Sequence, residues 1–363
     1  MSSEASSGPS AQEATGKTDI TCSRGLAGWL TAHDVSLAFT SYQTGQLFLV
    51  GVQPGGVLSV NQIGFTRAMG LCAGEQRIYL AALAQVWRLE NMLRPGERAN
   101  QYFDRCYVPR NAQTTGDIDV HELAVQPNGR VVFVSTAYSC LAEFDLVHSF
   151  RPIWKPPFIS KLAAEDRCHL NGLAMQDGKP RYVTAVCRSD VVNGWRDRRA
   201  EGGILIDLMD DRIVTEKLSM PHSPRLGENG LWVLDSGRGY LCQIDERSGK
   251  ARDHAFLPGF LRGLAFHGGA AVVGLSLPRD KSFAGLELDE NLRKKDADPW
   301  CGVQIIDLRT GDVLQWLRLE GLVRELFDVA VIPGVRCPMA VSPEAAEFAT
   351  TVTRVEEFGP LGH

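Results

Sequence analysis

Six short apolar segments with a shared grammar recur along this 363-residue chain, and that recurrence restricts the fold more than any other feature. Their cores are Ala68-Met69-Gly70-Leu71, His121-Glu122-Leu123-Ala124, Asn171-Gly172-Leu173-Ala174, Ser223-Pro224-Arg225-Leu226, Arg262-Gly263-Leu264-Ala265 and Phe327-Asp328-Val329-Ala330. Taking the Leu or Val as register mark, the copies lie about 50 residues apart, the sequence pattern of a β-propeller. Such a fold sets the first strand of every blade around one central channel, so residues distant in sequence face each other. A β-sandwich has no reason to repeat one register along its whole length.

Each core is followed by a second apolar strand ending in a turn, as in Ile204-Leu205-Ile206-Asp207-Leu208 and Gln304-Ile305-Ile306-Asp307-Leu308. Two of these close on Ser248-Gly249 and Thr310-Gly311, the chemistry of tight β-turns. A sixth copy of this second half, residues 41–50, precedes the first core, while the last core near residue 329 has almost nothing after it. The simplest closure pairs the N-terminal strands with that last blade and leaves no open sheet edge. The expected fold is all-β, a six-bladed propeller over residues 26–342. It is flanked by a disordered tail over 1–25 and a C-terminal tail over 343–363 with a short helix.

With 44 % hydrophobic residues, 22 % charged residues and a net charge of −5, the chain has neither a nucleic-acid footprint nor a basic membrane patch. No apolar run is long enough to span a bilayer. The Ser/Ala/Thr/Gly-rich start lacks the hydrophobic stretch of a signal peptide. Nine cysteines are scattered without Cys-x-x-Cys spacing, which fits reduced thiols in a cytoplasm.

Side chains alternate along a strand, so positions two and four before the register mark share a face. The first column reads Met69, His121, Asn171, Pro224, Arg262 and Phe327; the second reads Arg67, Asp119, His169, His222, Phe260 and Glu325. Eight of these twelve are polar, where an ordinary core would hold Val, Ile and Ala, so a site at the channel mouth is expected. His121, His169 and His222 come from consecutive blades at similar depth. Three neutral imidazoles suit a divalent transition ion, zinc first and iron or copper next, with an open position for water or substrate. Asp119 or Glu325 would orient an imidazole or move a proton. Arg67 and Arg262 either bind an anion or balance Asp119 and Glu325; a guanidinium offers a planar fork to a carboxylate. Asn171 would hold a substrate hydroxyl or offer its carbonyl to a metal. Cys168, beside His169, points to the opposite face and reads as packing.

Two long connections fall on the mouth's side of the fold, residues 188–199 and 277–300, the latter with Arg279, Lys281 and a charged helix; long loops in compact folds often cover sites. Residues 107–117 and 151–167, including Trp154-Lys155-Pro156-Pro157-Phe158, are expected on the same face, either as a pocket wall or as packing between blades. No Gly-x-Ser-x-Gly elbow, P-loop or dinucleotide fingerprint is present.

Three stretches, residues 157–160 with 165–173, Pro221-His222-Ser223-Pro224-Arg225 and Gly259-Phe260-Leu261-Arg262-Gly263-Leu264, resemble a family of uncharacterised bacterial proteins related to the strictosidine synthase and gluconolactonase propellers. The likeness covers about residues 30–342 and implies the fold but no activity. Gluconolactonase-like propellers imply a calcium-class ion, for which Asn171 and Asp328 are the matching positions, though calcium prefers oxygen to imidazole. Peptide-amidating lyases are similar in kind, placing zinc on three histidines of separate blades. The reading favoured by the sequence is a metal-dependent hydrolase or lyase acting on a small polar or anionic molecule or peptide. The alternatives are a non-catalytic ligand- or protein-binding propeller and a lactonase-like hydrolase.

Overall fold

Each repeat folds as a four-stranded antiparallel meander. Blade one comprises Leu71–Ala73, Arg77–Ala81, Gln85–Asn91 and Arg105–Thr114, and blade two Val120–Val125, Val131–Ser135, Cys140–Glu143 and Arg151–Trp154. Blade three comprises Leu170–Gln176, Lys179–Ala185, Gly203–Asp207 and Arg212–Leu218, and blade four Pro221–Gly227, Gly230–Asp235, Tyr240–Ile244 and Ala251–Phe256. Blade five holds Phe260–His267, Ala270–Ser276, Cys301–Asp307 and Val313–Gly321. This is a computed structural model, and it describes residues 17–227, 229–278 and 285–355.

Blade six closes the ring as the repeat requires. Its inner strand Val329–Pro333 pairs with Val35–Ser41, followed by Gln46–Val52 and Leu58–Gly64. The turns after Asp245 and Asp307 are built alike: each carboxylate accepts two backbone amides, and Gly249 and Gly311 take φ values of 70° and 80° that favour glycine.

Apolar faces alternate with the pleat and meet between blades. One buried cluster fills each of the six blade interfaces. Phe39, Phe48, Val272 and Ile305 sit between blades five and six, for example, and Val134, Leu141, Val183 and Ile204 between two and three. Buried hydroxyls add a second seam. Thr40, Thr136, Ser236 and Ser276, at the ends of the second strands, donate to the carbonyls of Met69, Leu170, Leu261 and Leu326 in the next blade.

Two expectations change at the termini and on the mouth face. Thr18–Cys22, assigned to a disordered tail, is a fifth strand on the outer edge of blade five, because Ile20 and Cys22 alternate inward onto the five–six core. Residues 1–16 lie outside the described residues, as do Arg279 and Lys281. Residues 105–114 form the fourth strand of blade one rather than a covering loop, and Trp154 and Phe158 pack on the core between blades two and three. At the C-terminus, Pro338–Ala340 adds a parallel strand to blade one, and Ala346–Thr350 forms the short helix. All nine cysteines are free thiols, and burial pushes Cys168 up to about 12, as packing implies. Among the described residues no helix is long and apolar enough to cross a membrane.

Candidate functional site

Inner strands begin at one end of the channel, and there the backbone is strained in register. Arg67, Asp119, His169 and Met220 adopt left-handed φ values of 56°, 56°, 51° and 46° just before the first strands of blades one to four. Non-glycine residues hold this conformation at a cost of about 1–3 kcal/mol, which the surrounding structure must over-determine. The pattern also corrects the sequence register in blade four. Position 220, not 222, matches 67, 119 and 169, so the mark is Pro224 rather than Leu226. The strand bulges between His222 and Arg225, which lets Leu226 imitate the mark. His222 therefore joins Met69, His121, Asn171, Arg262 and Phe327 in one ring, and Pro224 leaves it.

The histidine tautomers follow from their partners. His222 Nδ1 lies 2.9 Å from Met220 O, and a carbonyl can only accept, so Nδ1 carries the proton. Thr136 Oγ1 gives its proton to Leu170 O at 2.5 Å, so at 2.7 Å it accepts one from His121 Nδ1. His169 Nδ1 donates to the Asp166 carboxylate at 2.9 Å. With Nδ1 carrying its proton, the neutral form of each ring has its lone pair on Nε2, and His222 Nε2 is buried without a partner. Burial, reinforced by nearby positive charge, holds His121 and His222 well below the ordinary histidine range, so both are neutral.

A cavity of about 510 Å³ opens over this ring, within the roughly 300–1,000 Å³ of small-molecule sites. Met69, His121, Arg262 and Phe327 form its floor; Arg67, Asp119, His169 and Met220 stand above them; Tyr42, Asp166, Trp195, Arg196, Asp197 and Arg199 wall it. The long connection of blade three therefore covers the site as expected. Its Trp195 packs against His169 with ring centres 4.3 Å apart and planes tilted by 33°, and donates to Asp166 at 2.7 Å. Trp195 also packs with Met220, Phe260 and the blade-five helix Leu288–Lys294, so the two long loops brace each other over the mouth.

Arg262 is the exceptional charge. It is only 9 % exposed, and among the described residues no carboxylate or carbonyl pairs with it. Its guanidinium rests instead on Phe327, Phe260 and Tyr42 at 4.7, 5.7 and 6.0 Å, and burial holds its pKa below the usual value. Arg67 does balance its neighbours, pairing with Asp119 at 2.6 Å and Asp117 at 3.0 Å.

The remaining expected residues are placed as follows. Asp119 lines the cavity but is engaged by Arg67. Glu325 is not among the cavity-lining residues, though its charge reaches Arg262. Asn171 lies behind the floor; its Oδ1 accepts the Thr184 hydroxyl, and its Nδ2 is buried without a partner. Asp328 accepts the amides of Leu71 and Val329 beside Arg225. Strand alternation misses Asp166 because it sits in a loop outside both columns, although its spacing of three before His169 is visible in the sequence.

Deeper in the channel, Arg225 bridges Glu122 and, at 3.9 Å, Asp328. Glu122 and Asp328 each also accept an amide of the next blade, Leu173 and Leu71. These charges stand in plain sight in the His-Glu-Leu, Pro-Arg-Leu and Phe-Asp-Val cores.

The geometry defines the class as a six-bladed propeller with a polar, cationic cavity at one end of its channel. The chain belongs to the family described as Domain of unknown function (DUF4915), whose model matches residues 24–341. No curated protein matches the sequence. Among solved structures, a chain of a nidogen/laminin complex shares 12 % identity over 83 % of this chain and 99 % of its own, with a TM-score of 0.53, a likeness of fold alone. A catalytically inactive virginiamycin B lyase from Staphylococcus aureus with quinupristin shares 11 % identity over 84 % of this chain and 100 % of its own, with a TM-score of 0.38.

Proposed function

We propose that the cavity is the active site of a hydrolase- or lyase-type enzyme acting on a small anionic molecule. One observation carries the reading: Arg262 is a buried cation that faces a cavity, and among the described residues no carboxylate is hydrogen-bonded or ion-paired to it. Leaving a charge buried and uncompensated costs about 3–5 kcal/mol, a penalty that an incoming anion relieves. Beside it, His169 has the arrangement of a general base. Its Nδ1–H is fixed by Asp166, its ring is clamped by Trp195, and its lone pair remains to take a proton from the bound molecule.

A second reading rests on His222 Nε2, buried and unpartnered. Neutral imidazoles anchored through Nδ1 are the donor chemistry a divalent transition ion such as zinc uses. In their present spacing, however, no three His, Cys, Asp or Glu side chains among the described residues form a metal-ligand group. An ion here would need the rings to converge and would sit beside the Arg262 charge, so no step is assigned to it.

The test is a turnover screen over small carboxylates, phosphate esters, lactones and amides, with wild type, Arg262→Gln and His169→Ala. Substrate binding lost in the first variant and turnover lost with binding kept in the second is the expected split. Binding without turnover throughout would instead make this a binding propeller. Elemental analysis decides the ion: about one equivalent of zinc, iron or copper, lost on replacing His121, His169 and His222 by Ala, would establish it.

A further inference from the structure

Arg262 has no hydrogen-bonded or ion-paired anion among the described residues, and His121, neutral in the same cavity with its proton on Nδ1, presents an Nε2 lone pair that only accepts. A bare carboxylate would satisfy Arg262 and turn its remaining oxygen lone pairs toward that nitrogen. Acceptor against acceptor is repulsive in a desolvated site. The ligand must therefore join an anionic group to a hydrogen-bond donor within a few bonds. We propose, building on the active-site reading above, that the substrate class is the 2-hydroxycarboxylates: the carboxylate on Arg262, the adjoining hydroxyl donating to Nε2 of His121 or His169.

Charge selects hydroxyl over amine. An ammonium on the same carbon would bring a second cation beside Arg262, whereas a hydroxyl donates without charge. The rings beside Arg262 limit the substituent. Phe327 and Tyr42, on which the guanidinium rests, lie edge-to-face at 5.5 Å and with Met69 give the cavity an apolar stretch next to the anion site, so the hydroxyl-bearing carbon carries an apolar group there. The hydroxyl proton is then the one nearest the His169–Asp166 pair.

Calorimetric titration of the full chain with two pairs that differ only in the hydroxyl tests this: glycolate against acetate, and each enantiomer of 3-phenyllactate against 3-phenylpropionate. Phenylalanine serves as the amine control. Expected is about tenfold tighter binding of the hydroxy member, the worth of one hydrogen bond in a desolvated site. One phenyllactate enantiomer should lead, and phenylalanine should bind more weakly than phenyllactate. His169→Gln and His121→Phe, with folding checked by circular dichroism, should erase the hydroxyl's advantage, and His121→Phe should bind 3-phenylpropionate at least as tightly as wild type does. Equal binding within each pair, still weakened by Arg262→Gln, overturns the hydroxyl assignment and leaves the anion site standing. Tighter binding of phenylalanine overturns it equally. Binding of none of these, or binding indifferent to Arg262→Gln, overturns this inference together with the anion reading beneath it.

Discussion

His169 donates its Nδ1 proton to Asp166 Oδ2 across 2.9 Å, and the Trp195 indole donates to the same oxygen at 2.7 Å. The consequence is that the ring has one tautomer and one orientation. Asp166→Asn keeps the shape but can place an amide N–H against Nδ1, driving the proton to Nε2. Turnover should then fall by about 10²–10⁴-fold while anion affinity changes little. The tautomer itself is readable: nitrogen-15 NMR should show His169 protonated at Nδ1 in the wild type and at Nε2 in the variant. An unchanged tautomer would remove Asp166 from its positioning role.

Arg262 sets stability against binding. Replacing this buried guanidinium, which has no hydrogen bond or ion pair among the described residues, by Met removes a charge, and Met can fill the space against Phe327 and Phe260. Urea unfolding should show Arg262→Met more stable than wild type by about 1–4 kcal/mol, with ligand-induced stabilisation gone. Arg67→Ala makes the contrast. Its pair with Asp119 is partly exposed, with side chains 30 % and 25 % accessible, so the change should stay within about 1 kcal/mol. A large destabilisation on removing Arg262 would mean that its charge is compensated within the fold.

Glu122 and Asp328 make folding depend on pH. Burial pushes their carboxyls up, to about 7 and about 6, against the pull of Arg225. A carboxyl raised on folding binds more protons in the native than in the unfolded state, so its contribution is complete below the unfolded value near 4.5 and is lost as pH rises through about 7. His121 and His222, lowered on folding, act with the opposite sign near pH 6.5, so total stability alone does not separate the groups. The difference between wild type and Glu122→Gln does. It should shift toward the variant as pH rises from about 4.5 to about 7. A difference independent of pH would show Glu122 ionised throughout, as a full partner of Arg225.

Much of this is legible from residue types. The ring of His121, Asn171, Arg262, Met69 and Phe327 follows from strand alternation plus a six-fold repeat, because a propeller converts register directly into depth. Blade four fails for a physical reason: a bulge changes the phase within one strand, and Leu226 beyond it carries the same apolar signal as the true mark at Pro224. Asp166 fails for another. Its role depends on a loop conformation, with φ of 41°, for which strand periodicity has no term. That Arg262 would be the unpaired arginine and Arg67 the paired one required distances; the two are the same residue type in adjoining columns.

Thr136 links the site to the ring's closure. Its hydroxyl accepts from His121 Nδ1 and donates to Leu170 O in the next blade, so one side chain fixes a tautomer and stitches blade two to blade three. Thr136→Val preserves shape and removes both bonds at once. Asp119 O, at 3.3 Å from Nδ1, is a poorer substitute acceptor, and Leu170 O is left buried without this donor. The expected cost is about 1–3 kcal/mol in chemical denaturation. Thr136→Ser keeps the hydroxyl and loses only a methyl, so it should cost less than Thr136→Val. The site offers a second readout: with Nδ1 only weakly held, nitrogen-15 NMR should show His121 sampling both tautomers in Thr136→Val but not in Thr136→Ser. Equal costs for the two variants with an unaltered His121 signal would show that packing of the methyl, rather than the hydroxyl chain, holds this seam.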